Sequence, residues 1–320
     1  MEADFPEGSF IPNTHPGHGM RNPFFPIPCS HMRPPLLQSG MKIFPLFLFF
    51  LAPLHADQVL DFWFNGAEIS SFGLSQSRYG KNHPGHAELI FVTEPFLTQK
   101  QVKNESGKGD STDVLKLNAL TTFNTGIYSY RTMTSTFRPI DLGKFPHALK
   151  STTSIQDWCG QVFQQFNLRE NGWSVQLRSY FENEADFDSK LADAYLEDEL
   201  WITLRLDPGK LPAGEFDAIP GAIFTRFHHK PIGISKAKGT LDIGERITTY
   251  TIAYPSLGRV LSIGFDKNFP HVIYAWTETT TTGETTAKLK KRLMNVAYWD
   301  MHDPSDAGKR KELGLAPAAD

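Results

Sequence analysis

Two groups of residues in this chain carry side chains that could catalyse a reaction. Cys159 is a lone thiol, and a thiol becomes a nucleophile when a cation or a histidine such as His147 lowers its pKa. Glu197-Asp198-Glu199 places three carboxylates side by side, and paired carboxylates perform the acid and base steps of glycoside hydrolysis. The candidate catalytic residues are therefore Cys159, with His147, His228, His229 or His271 as its partner, or Glu197 with Asp198.

A purely structural role is the alternative for these residues. Free cysteine is among the most buried residue types, which predicts that Cys159 packs inside a strand. On a helix, Leu196, Leu200 and Trp201 would face the core, and this would leave the acidic run on the solvated flank. In this alternative, Cys159 is a buried, unreactive thiol and the acidic run lies on the surface.

His83 and His86 are the candidate metal ligands, since a turn at Pro84-Gly85 could bring the two imidazoles together. The alternative is a pair of solvent-exposed histidines on that turn. Gly107-Lys108-Gly109-Asp110-Ser111 lacks the upstream glycine of a phosphate loop, because position 102 is Val. The sequence also contains no Gly-x-Gly-x-x-Gly cradle and no Gly-x-Ser-x-Gly elbow, so we predict no cofactor.

A predicted helix would position the acidic run, because the apolar residues around it recur at helical spacing. The spacing is clearest from Leu191 to Leu206, and Asp207-Pro208-Gly209 ends it. A basic stretch from Thr286 to Trp299 predicts a second helix. If the first helix packs against the concave side of a sheet, Trp201 should be its most consequential core residue.

Most of the remaining chain has the pattern of strands. Asn124-Thr125-Gly126 and Asn171-Gly172 each separate two alternating runs and predict hairpins. Phe72 to Gly80 could be a short helix or a loop, and Ala222 to His228 predicts a strand. About ten strands with short connections predict a mainly β protein, with a curved antiparallel sheet or open barrel and one or two helices. A two-sheet sandwich is the alternative.

The region before Asp57 predicts export. Lys42 precedes an uncharged apolar run from Ile43 to Leu54, and this is the pattern of a signal peptide spanning residues 41–56. The run is well short of the roughly 20 apolar residues of a membrane-spanning helix. We therefore expect a periplasmic or extracellular protein with no stable membrane span after cleavage.

The sequence patterns also predict the boundaries of the other segments of the chain. Residues 1–40 are rich in proline and have no apolar period, so they are either an artificial extension upstream of a true start at Met41 or a disordered tail. Residues 57–285 are predicted to form the β domain. Residues 286–320 are predicted to form the C-terminal helix and tail.

Composition narrows the function classes. The formal net charge is −3, and without a basic excess we predict no nucleic-acid partner. Of the two cysteines, Cys29 precedes the predicted cleavage site, which leaves Cys159 without a partner for an internal disulfide. The stability of the exported form must then come from packing.

Six short segments spread over the predicted exported chain carry a resemblance to a known family. They are Arg78-Tyr79-Gly80, Leu89-Ile90-Phe91-Val92-Thr93-Glu94, Asn124-Thr125-Gly126-Ile127-Tyr128, Trp158-Cys159-Gly160-Gln161-Val162, Leu196-Glu197-Asp198-Glu199-Leu200-Trp201 and Ile219-Pro220-Gly221. In these segments the chain resembles a family of uncharacterised exported bacterial proteins, sometimes labelled septum formation inhibitor. The Ser- and Arg-rich N-terminal loop of the cytoplasmic nucleotide pyrophosphatases called Maf is missing here. The resemblance implies export and no particular reaction.

These observations predict an exported β protein of the cell envelope. Its sheet would bind an apolar or amphipathic ligand, or dock on a partner protein of the envelope. The alternative is an exported hydrolase that uses Cys159 or a carboxylate pair.

Overall fold

The computed structural model describes residues 61–315. Within this range the protein is mainly β, and fifteen strands form one open sheet. Neighbouring strands are antiparallel except for the short parallel pair β9 and β10. The predicted mainly β fold with an open antiparallel sheet is confirmed, and the two-sheet sandwich is excluded because all fifteen strands belong to one sheet. Residues 1–40 and the predicted signal peptide lie outside the described range.

The sheet has two halves that meet at β1 and β15, and moving outward from this junction the strand numbers rise in one half and fall in the other. Strands β1 to β8 lie side by side in sequence order, and β15 back to β9 continue the sheet from the other side of β1. The first half contains β1 (Ala67–Arg78), β2 (Lys81–Leu97), β3 (Ser111–Thr125), β4 (Tyr128–Pro139), β5 (Lys150–Gln156), β6 (Gln161–Arg169), β7 (Gly172–Ser179) and β8 (Phe187–Leu191). The second half contains β9 (Tyr195–Leu196), β10 (Gly214–Ile219), β11 (Ser235–Ile243), β12 (Ile247–Tyr254), β13 (Arg259–Asp266), β14 (Ile273–Thr280) and β15 (Gly283–Val296).

Three short helices lie wholly within residues 61–315, and residues 61–63 at the start of this range are also helical. They are α1 (Glu197–Leu206), α2 (Ala222–Phe227) and α3 (Gly308–Glu312), and 3-10 turns lie at Pro208–Lys210, Pro255–Leu257, Tyr298–Asp300 and Pro304–Ala307. In the described part of the chain, none of the helices has both the length and the apolar character needed to span a membrane.

The two edges of the sheet are connected by a very short link. Only residues 192–194 separate edge strand β8 from edge strand β9, and the four Cα–Cα steps from Leu191 to Tyr195 span at most about 14 Å. The sheet must therefore bend until its two edges approach each other at this link. Helix α1 follows β9 directly, and we call the face of the sheet that contacts α1 the inner face and the opposite one the outer face.

The main core lies between α1 and the inner face. Leu200, Ile202, Leu204 and Leu206 of α1 are buried in the same cluster as inner-face residues such as Phe72. The predicted packing of this helix on the sheet is therefore seen, although Trp201 is only partly buried. Core packing at α1 rests on those four aliphatic residues, and Trp201 is not its dominant core side chain.

Several predicted elements were wrong. Thr286 to Trp299 is mostly strand β15, since Ala287 and Leu289 face the core and alternate with exposed lysines. Phe72 to Gly80 belongs largely to β1, which joins the two halves of the sheet. In both cases a period of two was present, but the polar and basic residues between the apolar ones obscured it.

The helix predicted from Leu191 begins only at Glu197, because Tyr195 and Leu196 pair with β10. Ala222 to His228 is largely α2 and not a strand. A short apolar run such as this one fits a buried helix as well as a strand. In contrast, the hairpins at Gly126 and Gly172 form where predicted, and both glycines have the positive φ that these turns need.

Candidate functional site

A cavity of about 130 Å³ lies between α1 and the inner face of the sheet. Its walls are apolar on one side, with Leu89, Leu117 and Leu261 from three strands. Trp201 of α1 and Trp276 of β14 meet edge to face at its boundary, with ring centroids 5.4 Å apart. A cavity of about 150 Å³ accommodates benzene, so this one has room for a molecule of about six non-hydrogen atoms.

Threonines form a second wall of the cavity. Thr132, Thr134 and Thr136 alternate along β4 with their side chains on the inner face, and all three are buried. Thr134 Oγ1 lies 3.0 Å from Thr153 Oγ1, and Thr136 Oγ1 lies 3.0 Å from Ser151 Oγ. The hydroxyl groups of Thr134 and Thr136 therefore find their hydrogen-bond partners within the sheet.

One end of the cavity is charged and is organised by Arg259 at the start of β13. The guanidinium donates to both carboxylate oxygens of Glu197, at 2.7 Å through Nη2 and through a shorter bond from Nη1. Its Nε donates to Glu278 Oε1 at 2.5 Å. Arg259 is also stacked on Phe224, with its guanidinium carbon 4.4 Å from the ring centroid. One buried guanidinium thus holds two carboxylates, and their charges raise the pKa of Arg259 above its ordinary value despite burial.

Asp198 is the third carboxyl group at this end, and it lacks such a partner. Within residues 61–315, no arginine, lysine or histidine forms an ion pair with it, and its hydrogen bond comes from the backbone N–H of Ala222. Burial, together with the adjacent charge of Glu197, raises the pKa of Asp198 to about 7. The pKa of Asp198 is thus displaced from its ordinary value of 3.8 toward neutrality.

Gly221 allows the two carboxylates to lie against the chain that precedes α2. A Cβ atom at this position would stand 2.5 Å from Glu197 Oε1 and 3.5 Å from Asp198 Oδ1. Any larger residue would have to displace Glu197 from Arg259. The Pro220-Gly221 sequence therefore fits a close backbone approach to the acidic end of the cavity.

The charged end carries a net negative charge. Arg259 is the cation among the lining residues, and it faces Glu197, Glu278 and Asp198. The sum is −1 while Asp198 is protonated and −2 after it ionises. The cavity therefore combines an apolar wall with an end that attracts hydrogen-bond donors and cations.

The predicted acidic run is not on a solvated flank. Glu197 and Glu199 are 3% and 0% exposed, because each pairs with an arginine from a distant strand. Glu199 accepts from Arg138 Nη1 at 2.9 Å and from His147 Nδ1 at 2.8 Å, and also from the backbone N–H of Ala148. Three neighbouring acids therefore serve different purposes: Glu197 and Glu199 anchor α1, and Asp198 lines the cavity.

His147 is part of this anchoring network. Its Nε2 lies 3.3 Å from Asp193 and its Nδ1 bonds Glu199. Burial alone would lower the pKa of His147, but the hydrogen bond and charge of Glu199 outweigh it, so the pKa is raised. The structure does not bring His147 together with Cys159, the thiol for which it was one of four candidate partners.

Cys159 is exposed in the turn between β5 and β6, and the prediction of a packed cysteine was wrong. Its backbone N–H donates to Asp157 Oδ1 at 2.6 Å, as in a tight Asx turn. In this turn the Cys159 side chain is exposed to solvent. The location offers no neighbouring histidine contact in the described residues and gives no support to a nucleophilic role.

His83 and His86 are not on a turn. Pro84-Gly85 lies within β2, opposite Leu74 and Ser75 of β1, so the strand carries the two imidazoles on opposite faces of the sheet. His83 bonds the carbonyl of Arg78, and His86 lies 3.5 Å from Glu88. No cluster of three or more His, Cys, Asp or Glu able to hold a metal occurs in residues 61–315.

Sequence reasoning missed the strand residues of the site. Arg259, Trp276 and Glu278 are far from Asp198 in sequence, and β13 and β14 carry them to the cavity. A signal was present, since a single arginine or glutamate at an inward position of an otherwise apolar strand requires a buried partner. The partner could not be identified without the topology.

Comparisons with known proteins identify no family for this chain. No family model matches it, and no curated protein does. A solved structure, described as a β-barrel-like protein of domain of unknown function DUF1849 from Brucella abortus, is similar with a TM-score of 0.43. The match has 10% sequence identity and covers 72% of this chain and 98% of that one.

Proposed function

We propose that the protein is an exported binding protein whose interior cavity takes a small amphipathic molecule with a cationic or hydrogen-bond-donating head. The observation that carries this proposal is Asp198, a carboxyl group without an ion-pair partner among the described residues, at the end of an apolar cavity. The apolar body of the ligand would lie against Leu89, Leu117 and the two tryptophans. Its head would face Asp198.

Export is the part of the proposal that rests on sequence. The apolar run from Ile43 to Leu54 supports a signal peptide and a periplasmic or extracellular location. Membership of the exported bacterial family sometimes labelled septum formation inhibitor is likewise proposed, from the six segments that resemble it.

The carboxylates favour binding over hydrolysis. An acid that keeps its proton near pH 7 could act as a general acid, and Asp198 would be that residue. Its partner carboxylate Glu197 is bound through both oxygens by Arg259, which removes it as a free base or nucleophile. A hydrolase using the pair Glu197 and Asp198 is therefore the second candidate.

Calorimetric titration with three matched probes tests the proposal. Butylamine, butanol and butyrate share one alkyl chain and differ in head-group charge. We expect butylamine to bind at least about tenfold more tightly than butanol, and butyrate to bind weakest, because the charged end is net negative. Equal affinity for all three would contradict the proposed head-group recognition.

The affinity for butylamine should also depend on pH. An ammonium head stabilises the ionised form of Asp198, so binding should strengthen by about tenfold between pH 6 and pH 8 as Asp198 loses its proton. Asp198→Asn should abolish this pH dependence. Asp217→Asn, which changes an exposed aspartate on β10, is the matched control and should behave like the wild type. A pH dependence that persists in Asp198→Asn would assign the proton to another group.

A further inference from the structure

We infer that a second cleft, on the outer face of the sheet, binds an amphipathic anion, a molecule with an alkyl or aryl body and one negatively charged head. The cleft has a volume of about 920 Å³ and lies between β1 to β5 and the C-terminal segment from Tyr298 to Leu315. We call it the outer cleft. Its volume is within the range of about 300 to 1,000 Å³ that is usual for small-molecule sites.

The C-terminal segment is fixed against the sheet and forms a defined wall. Ser71 Oγ of β1 donates to the carbonyl of Leu313 at 2.5 Å, and Leu313 is buried. Asp303 and Asp306 form a reciprocal capping box that holds the turn before α3. The wall is thus bonded to the sheet at Leu313, and the capping box stabilises its own turn.

The floor of the outer cleft is apolar. Ile90, Leu120 and Met133 come from three adjacent strands, β2, β3 and β4, and each is only partly buried. Leu120 is the cross-strand neighbour of both Glu88 and Met133, so the apolar floor runs directly up to a charged group. Met301 and Leu313 face this floor from the C-terminal segment. Such a surface suits the alkyl or aryl part of a ligand.

The charged groups around the floor give a positive balance. Arg131, Lys309 and Arg310 line the cleft against Glu88 and Asp306. Lys309 is paired with Glu312 at 3.0 Å, and Asp306 accepts from the backbone N–H of Asp303. Arg131 is exposed on β4 and forms no ion pair with any residue between 61 and 315. The charge complementary to this arrangement is negative.

The ionisation of Glu88 makes the net charge of the outer cleft depend on pH. Burial raises the pKa of Glu88 to about 7, although Arg310 opposes the shift. The other groups facing it are His86 on β2, Arg131 on β4, Lys290 on β15 and the C-terminal Asp306, Lys309 and Arg310. Burial and the charges of Arg310 and Lys290 lower the pKa of His86, which disfavours its charged form. Glu88 thus adds a negative charge as the pH rises through about 7, which should weaken anion binding.

The test uses decane-1-sulfonate, whose charge does not change with pH, and decyltrimethylammonium as the matched cation. Calorimetric titration of the exported form should show one sulfonate bound, about tenfold or more tighter than the cation. Arg131→Ala should weaken sulfonate binding by about fivefold or more, while Lys238→Ala, an exposed cation on β11, should not. Equal affinity for the two probes, or an equal loss in both variants, would overturn the inference.

Two further variants locate the bound sulfonate. Glu88→Gln should bind it equally at pH 6 and pH 8, whereas the wild type should bind it several-fold more weakly at pH 8. Asp198→Asn should leave sulfonate affinity unchanged, because a ten-carbon chain exceeds the interior cavity. Loss of sulfonate binding in Asp198→Asn would place the anion inside the sheet and contradict the outer cleft. The proposal for the outer cleft and the proposal for the interior cavity can therefore be contradicted independently of each other.

Discussion

Glu68→Ala is expected to destabilise the protein by about 3 to 5 kcal/mol, because it leaves a buried arginine without its counter-charge. Glu68 on β1 accepts from Arg205 Nη1 at 2.8 Å and from Nη2 at 2.6 Å, and both side chains are almost fully buried. Trp63 and Phe91 cover the guanidinium, with ring centroids 4.9 and 4.5 Å from its central carbon. Water cannot replace the lost carboxylate at this position.

Chemical denaturation at pH 7 measures this effect, and Asp217→Ala provides the control. Asp217 pairs with Lys236 at 2.8 Å, but both side chains are well exposed, so the control should lose less than about 1 kcal/mol. The double variant Glu68→Leu with Arg205→Met should recover most of the loss, since it removes both charges. If Glu68→Ala were as stable as Asp217→Ala, the anchoring of α1 by buried ion pairs would be wrong.

Glu199→Ala should have an effect of similar size, about 3 to 5 kcal/mol. This change removes one acceptor from three donors at once: Arg138, His147 and the backbone N–H of Ala148. It should also lower the pKa of His147, because burial and the charge of Arg138 then act without Glu199. Titration of the His147 ring signals by NMR would report that change directly.

The pH dependence of stability separates this loss from a simple packing defect. The raised pKa of His147 stabilises the wild type fully below the ordinary histidine value of 6.5, and the contribution is lost as pH rises through the folded pKa. The deficit of Glu199→Ala should therefore be larger at pH 5.5 than at pH 9. A deficit that is the same at both values would mean that His147 is not coupled to Glu199.

Local chemistry made the hairpins predictable. Asn171-Gly172 and Asn124-Thr125-Gly126 require particular backbone angles, and these are properties of the turn residues themselves. The same reasoning gave the mainly β class, because most strands alternate apolar and polar residues. Strand β15 was missed since its lysines alternate with Ala287 and Leu289 in a way that helical spacing also tolerates.

The acidic run shows why the site could not be predicted in the same way. On a helix viewed alone, Glu197 and Glu199 are charged residues beside an apolar stripe, and such residues usually face water. Their burial depends on Arg259 and Arg138, which lie 62 and 61 residues away along the chain. The environment of Asp198 therefore depends on how its two neighbours pair with those distant arginines.

The pKa of Asp198 tests the account of the interior cavity most directly. The carboxyl carbon of Asp198 can be followed by NMR in protein labelled at aspartate, with Asp198→Asn used to assign the signal. We predict a pKa of about 7 in the free protein, caused by burial and by the charge of Glu197, and a clear decrease when butylamine saturates the cavity. A value near 3.8, the ordinary value for aspartate, or a pKa that butylamine leaves unchanged would contradict the proposed binding site.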